Sequence, residues 1–171
     1  GVVPIFEKLR RENNNHIKIG VLTGSLVIIP ASALPAFEAR TARYGMSQIM
    51  TSPVPFDPDY LVVHQNEQLK HDMVHVVTQI FQAGEIEVLI GTKSLLGEGW
   101  DAPAINALVL ASFVGSFVIS NQIRGRAIRI QDGNALKTGN IWHLACLDPT
   151  LPDGGGDVEL LRRRFKCFTG V

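Results

Sequence analysis

The sequence predicts an α/β protein in which a mostly parallel sheet carries helices on both faces. Three observations predict it. Val88-Leu89-Ile90 and the run from Ala107 to Ala111 are continuously apolar, the pattern of strands buried on both faces beneath helices. Ahead of the first run, residues 67 to 83 place Leu69, Met73, Val76, Val77, Ile80 and Phe81 at helical spacing on one face. Between the two runs, after Gly91-Thr92, lies a glycine-rich polar loop, Gly97-Glu98-Gly99-Trp100-Asp101-Ala102-Pro103. Loops at the carboxyl ends of parallel strands are where such sheets bind ligands.

A chain of 171 residues with 46% hydrophobic content can bury one substantial core. Sixteen basic and sixteen acidic residues cancel, so no global basic field holds nucleic acid, and any such contact must be a local patch. Cys146 and Cys167 lack metal-ligand spacing. Cys146 sits in an apolar run and reads as a buried thiol rather than half a disulfide, consistent with a reducing, cytoplasmic setting. There is no signal peptide and no apolar run long enough to span a membrane.

The elements follow in order. Val2, Ile5, Phe6 and Leu9 make a helical face over residues 1 to 12, ending before the Asn13-Asn14-Asn15 turn. Residues Ile17 to Leu22 read as a strand ending at Thr23-Gly24, and Leu26 to Ile29 as a strand-like run stopped by Pro30. Thr23-Gly24 either turns a hairpin or lies within one continuing strand. Residues 31 to 45 read as a helix with Pro35 near its first turn, 46 to 58 as a loop, and Tyr60 to Val63 as a short strand.

On the 67–83 helix, His71 and His75 stand i, i+4, a spacing that can bind a metal. The HExxH pattern is absent, Asp72 replaces its glutamate and no third ligand is evident, so no metal is assigned. Gly91-Thr92-Lys93-Ser94 imitates the tail of a P-loop, but the required first glycine falls on Glu87. The chain therefore lacks the phosphate cradle, and it lacks the metal-binding acid pair that phosphoryl transfer needs. Residues Gln131 to Gly139 read as a polar loop and Ile141 to Cys146 as a last strand, with His143 a core or rim histidine. Asp148 to Asp157, with two prolines and three consecutive glycines, reads as a flexible linker. Residues 158 to 168 read as an amphipathic helix. Val158, Leu161, Phe165 and Phe168 are its apolar groups, and its basic side (Arg162, Arg163, Arg164, Lys166) serves as a solvated face or a nucleic-acid contact.

After the second apolar run, Ser116 or Ser120 caps a helix carrying Gln122, Arg124, Arg126 and Arg129. Arg126 and Arg129 are three apart and on a helix share a face. Two guanidinium groups on one face form a fork suited to phosphate or carboxylate oxygens; a solvated basic face paired with nearby acids accounts for the spacing equally well. Gly125, directly before Arg126, removes a side chain and lets a backbone or ligand come close.

The stretch GTKSLLGEGWDAP followed by QIRGRAIR resembles motifs V and VI in the second RecA-like domain of superfamily-2 helicases of the DEAD/DEAH type. The motif V match is Thr92 after a strand, then Gly99-Trp100-Asp101. The motif VI match is Gln122, then Gly125-Arg126, then Arg129. Phe81 to Ile86 resembles the F-x-x-G-x-I lead-in of that family. The match covers residues 66 to 146 and, more weakly, 1 to 24.

The resemblance implies a RecA-like, P-loop NTPase-type three-layer domain over 1–147, lacking its first strand, with 25–65 as an inserted strand or hairpin segment and with a helix after the 148–157 linker. It implies a fragment of a longer ATP-dependent helicase or translocase, inactive alone. ATP with Mg²⁺ sits between two RecA-like domains, and the P-loop and Mg²⁺ ligands belong to the N-terminal one. Arg129 is then the arginine finger, with Arg126 its partner. Gln122, Gly99 and Asp101 serve the nucleotide side, and Thr92 and Lys93 the phosphates of a nucleic acid, DNA before RNA. Two departures stand out. Ile123 occupies the place where motif VI often has an arginine, with Arg124 one step on, and Trp100 replaces a small aliphatic and packs under the loop rather than against a base. The alternatives are a non-catalytic RecA-like scaffold or nucleic-acid-binding domain, and an unrelated nucleotide-binding α/β enzyme, against which the missing GxGxxG and P-loop weigh.

Overall fold

A computed structural model describes residues 1–171 apart from 47–48, 66, 98–99, 112–116 and 167–171, and apart from the side chains of 67–69, 71, 96–97, 117–120 and 164. The chain divides into two compact units, Gly1–Ala102 and Pro103–Val171.

The first unit is a five-stranded sheet between helices. Its elements are α1 (Val2–Arg11), β1 (Ile19–Leu22), β2 (Val27–Pro30), a short 3-10 turn Ala31–Ala33, α2 (Leu34–Ala42), β3 (Thr51–Val54), β4 (Asp57–Val63), α3 (Glu67–Gln82), β5 (Val88–Gly91) and the one-turn α4 (Lys93–Gly97). The strand order is β3-β4-β2-β1-β5. Side chains alternate across it as the two-residue period requires. Phe6 of α1 packs with Ile19, Val21, Ile28 and Tyr60 on one face. Leu22, Val27, Ile29 and Val63 meet Phe37 of α2 and Met73, Val76, Val77 and Ile80 of α3 on the other. Helices therefore cover both faces.

The expected mostly parallel sheet is corrected: β1 pairs β5 in parallel, while β1–β2, β2–β4 and β3–β4 are antiparallel. The antiparallel pairings all involve strands from the 25–65 segment. That segment turns back at Thr23, whose hydroxyl oxygen accepts from the backbone N–H of Leu26 at 2.8 Å, and makes a hairpin rather than a continuing strand. The 46–58 stretch, expected as a loop, holds β3 and the start of β4. Pro53 sits on the edge strand and the register shifts beside it, both places where a missing N–H costs no ladder bond. β5, expected to be buried on both faces, forms the other edge of the sheet and leaves Val88 partly exposed.

The F-x-x-G-x-I stretch is the end of α3. Gly84, at φ +78°, donates its N–H to the Phe81 carbonyl at 3.1 Å, and Glu85 donates to the Ile80 carbonyl at 3.0 Å. This is the paired C-terminal cap that a left-handed glycine permits. It delivers Ile86, fully buried, onto β1 at Gly20, where an added Cβ would stand 2.8 Å from Ile86 Cδ1.

At the far side of the unit, Arg10 makes a bidentate pair with Glu7 (2.8 and 2.7 Å) and a third bond to Asp57 at 3.0 Å. Asn13 closes the turn into β1: its amide donates to the Ile17 carbonyl and its Oδ1 accepts from the Ile17 N–H.

The second unit contains β6 (Ala107–Leu110), α5 (Phe117–Ala127), β7 (Asn140–His143) and α6 (Gly156–Phe165). β6 and β7 are parallel, with Val109 opposite Trp142 and Leu110 opposite His143. A parallel pair needs a crossover, and α5 supplies it. Ile123 and Ala127, one helical turn apart, are buried, and Ile123 packs on Leu110. β6, expected to be buried on both faces, buries only Leu110, and Val109 is 56% exposed.

Ser116, offered as a cap for α5, lies outside the described residues, as do Cys167 and Phe168; Ser120 lies within the helix. Cys146, expected to be a buried thiol, is exposed, because β7 ends at His143 and the chain leaves the sheet before reaching it.

Residues 148–157, read as a flexible linker, close on themselves. Asp148 N–H donates to the Gly154 carbonyl at 3.0 Å, the Asp148 carboxylate accepts from the Thr150 N–H and hydroxyl, and Gly154 and Gly155 take positive φ. No helix among the described residues is long and apolar enough to cross a membrane.

Candidate functional site

In the first unit the candidate residues gather where β5 ends. β1 and β5 run in parallel register, with Leu22 opposite Gly91, so Thr23 and Thr92 follow at the same end of the pair. Thr92 opens α4: its carbonyl accepts from the Leu95 N–H at 3.1 Å, and its hydroxyl lies 3.2 Å from that of Ser94. Lys93, the first residue of α4, is exposed, as is Asp101. Gly99 lies outside the described residues.

Trp100 anchors the end of this loop. It is buried, its ring stacks on Phe81 at 6.4 Å between centroids, and its indole N–H donates to Thr78 Oγ1 at 2.7 Å. The Thr78 hydroxyl in turn donates to the Val74 carbonyl, one turn back along α3. A buried indole N–H needs such an acceptor. Trp100 therefore packs under the loop and fixes where Asp101 begins. Thr78 carries no motif signature; the one signal in the sequence was a polar residue on an otherwise apolar helical face.

In the second unit α5 carries Gln122, Gly125 and Arg126. Gln122 and Arg126 stand i, i+4 on one side of the helix, Gln122 exposed and Arg126 half-buried with its Nε buried. Arg129 was expected on the same helix as Arg126. The helix ends at Ala127, so Arg129 lies in the exposed segment beyond it. Its N–H still points back to the Arg126 carbonyl at 3.4 Å.

Lys137 and Gly139 hold that segment. Lys137 Nζ donates to the Arg129 carbonyl at 2.6 Å. Gly139 passes so close to the end of α5 that an added Cβ would lie 2.5 Å from the Ala127 carbonyl oxygen. A Cβ at Gly125, by contrast, would meet nothing within 4 Å. Among the described residues packing does not require glycine there, although glycine in a helix interior costs about 1 kcal/mol relative to alanine.

Arg124 turns elsewhere. Its guanidinium carbon lies 5.7 Å from the centroid of the Phe165 ring on α6, and His143 of β7 meets the same ring edge-on at 5.5 Å. The sequence reading gave Phe165 only an apolar role on its own helix.

Among the described residues no group of three or more His, Cys, Asp or Glu side chains is placed to hold a metal ion, and the side chain of His71 lies outside the described residues. Comparison of the chain with family models, with curated proteins and with solved structures gives no match.

Proposed function

We propose that this chain is the second RecA-like domain of an ATP-dependent nucleic-acid helicase or translocase. The observation that carries the reading is the pairing pattern. Strands outside the 25–65 segment pair with one another in parallel (β1 with β5, β6 with β7), and each antiparallel pair includes a strand of that segment. The parallel strands are those on which the motif resemblance is laid out, and the antiparallel ones are the addition. The unrequired glycine at position 125 supports the same reading, since a helix face left bare at a stability cost suits close approach by something outside the chain.

In this reading Arg129 is the arginine finger and Arg126 its partner. Their charge answers the negative charge that spreads over the equatorial oxygens of a transferring phosphoryl group, a contribution of roughly 10³ to 10⁵ in rate. ATP with Mg²⁺ supplies that group, and the P-loop and metal ligands belong to the N-terminal RecA-like domain. The half-buried Arg126 and exposed Gln122, on one side of α5, fit an anionic neighbour better than an apolar one. Thr92 and Lys93 contact nucleic-acid phosphates, which position a strand without reading its sequence. Gly99 and the exposed Asp101 belong to the turn on the nucleotide side.

The test is ATP hydrolysis by the protein that joins this domain to its P-loop domain, with single- and double-stranded DNA and RNA in turn. Stimulation by one class supports a motor and identifies the track, DNA being the expected one. No stimulation by any of them favours the scaffold.

A further inference from the structure

We infer that Phe165 is a positioning residue for motif VI, acting through Arg124; the inference rests on the helicase reading above. Two elements of the second unit converge on the Phe165 ring of α6. Arg124 of α5 lies over it at 5.7 Å, within the range in which a guanidinium is attracted to an aromatic face, and His143 of β7 meets it edge-on at 5.5 Å. The Nε of Arg124 and the Nε2 of His143 are both buried, so neither group hangs in solvent above the ring.

The other end of α6 is tied as well. Asp157, in its first turn, accepts the backbone N–H of Cys146 at 3.1 Å, just past β7. The 148–157 turn, closed by its own hydrogen bonds, brings α6 back between these two attachments. α6 is thus a brace fastened at its first turn to the exit of β7 and at its last residue to α5.

The consequence for the site follows from helix geometry. Ile123 packs one side of α5 on Leu110 of β6, and Ala127, one turn on, is fully buried. The half-buried Arg124 ties α5 to α6, two residues from Arg126 and five from Arg129. This assigns Arg124 a role that its displacement from the usual motif VI arginine position left open: it holds α5 through α6 rather than meeting the nucleotide.

The experiment uses the two-domain protein and three variants, Phe165→Ala, Phe165→Tyr and Arg124→Lys. Peptide-resolved hydrogen exchange over α5 and steady-state ATPase are measured on each. Phe165→Ala is expected to speed exchange in α5 about fivefold and to lower kcat three- to tenfold, with KM for ATP within twofold. Phe165→Tyr, which keeps the ring, restores both, and Arg124→Lys, which keeps the charge, restores part. Unchanged exchange in α5 overturns the brace. Faster exchange with unchanged kcat overturns the positioning role, as does a loss of kcat that Phe165→Tyr fails to restore. If the unsubstituted protein has no nucleic-acid-dependent turnover, the helicase reading fails and the positioning role falls with it, while the exchange measurement still decides separately whether the brace exists.

Discussion

The indole nitrogen of Trp100 donates to the hydroxyl of Thr78 across 2.7 Å inside the first unit, tying the loop after β5 to the middle of α3. Thr78→Val keeps the shape of the side chain and removes the acceptor. A buried N–H left without its partner costs about 1–3 kcal/mol. Chemical denaturation should therefore show a lower midpoint for Thr78→Val. A midpoint equal to that of the unsubstituted chain would mean that the tether adds nothing.

Gly139 answers to a different constraint. The atom it would gain as alanine lies 2.5 Å from the Ala127 carbonyl oxygen, a backbone atom that cannot rotate away. Gly139→Ala should destabilise the second unit by about 1–3 kcal/mol, the usual cost of overpacking. Because the displaced atom closes α5, amide exchange of the 124–130 segment should rise with it. Thermal unfolding and exchange measured together check both halves.

Gly125→Ala should do the opposite to stability. The added methyl meets nothing within 4 Å among the described residues, and alanine in place of a helical glycine gains about 0.5–1 kcal/mol. If the bare face serves close approach by the nucleotide or the other domain, the same substitution lowers ATP turnover. A variant that is both more stable and fully active would remove glycine 125 from the functional argument.

The Glu7 carboxyl is held below its ordinary range, first by its hydrogen bonds to Arg10 and then by Arg11. A depressed folded pKa contributes stability that is fully present above the unfolded glutamate value, near 4.5, and is lost as pH falls through the lower folded value. Acid unfolding of the chain should therefore steepen below about pH 4.5. Glu7→Gln should flatten the profile in that window and leave it unchanged near neutrality apart from a constant offset.

Much of this architecture was legible in the residues, and the gaps have physical causes. The strands β1, β2, β5, β6 and β7 and the helices α1, α3 and α6 follow from apolar runs and helical spacing, within a few residues at their ends. Strand direction does not. Val27-Ile28-Ile29 looks the same whether its neighbour runs parallel or antiparallel, and only the turn held by Thr23 decides it. β3 was hidden by Pro53, which an edge strand tolerates. The Thr78–Trp100 and Arg124–Phe165 contacts join residues 22 and 41 positions apart, a separation over which local pattern carries no signal. The end of α5 was missed because no glycine or proline stands at residues 128–132 to mark it, while Ile128 and Ile130 lie exposed beyond the helix.

Arg129→Ala in a protein that joins this domain to the proposed P-loop domain tests the central claim most directly, with ATP binding and nucleic-acid-stimulated hydrolysis measured on the same preparation. If Arg129 is the arginine finger, binding persists while stimulated turnover falls by roughly 10³ or more. Turnover within a few-fold of the unsubstituted protein would contradict it and leave Arg129 as an exposed cation at the end of a structural helix.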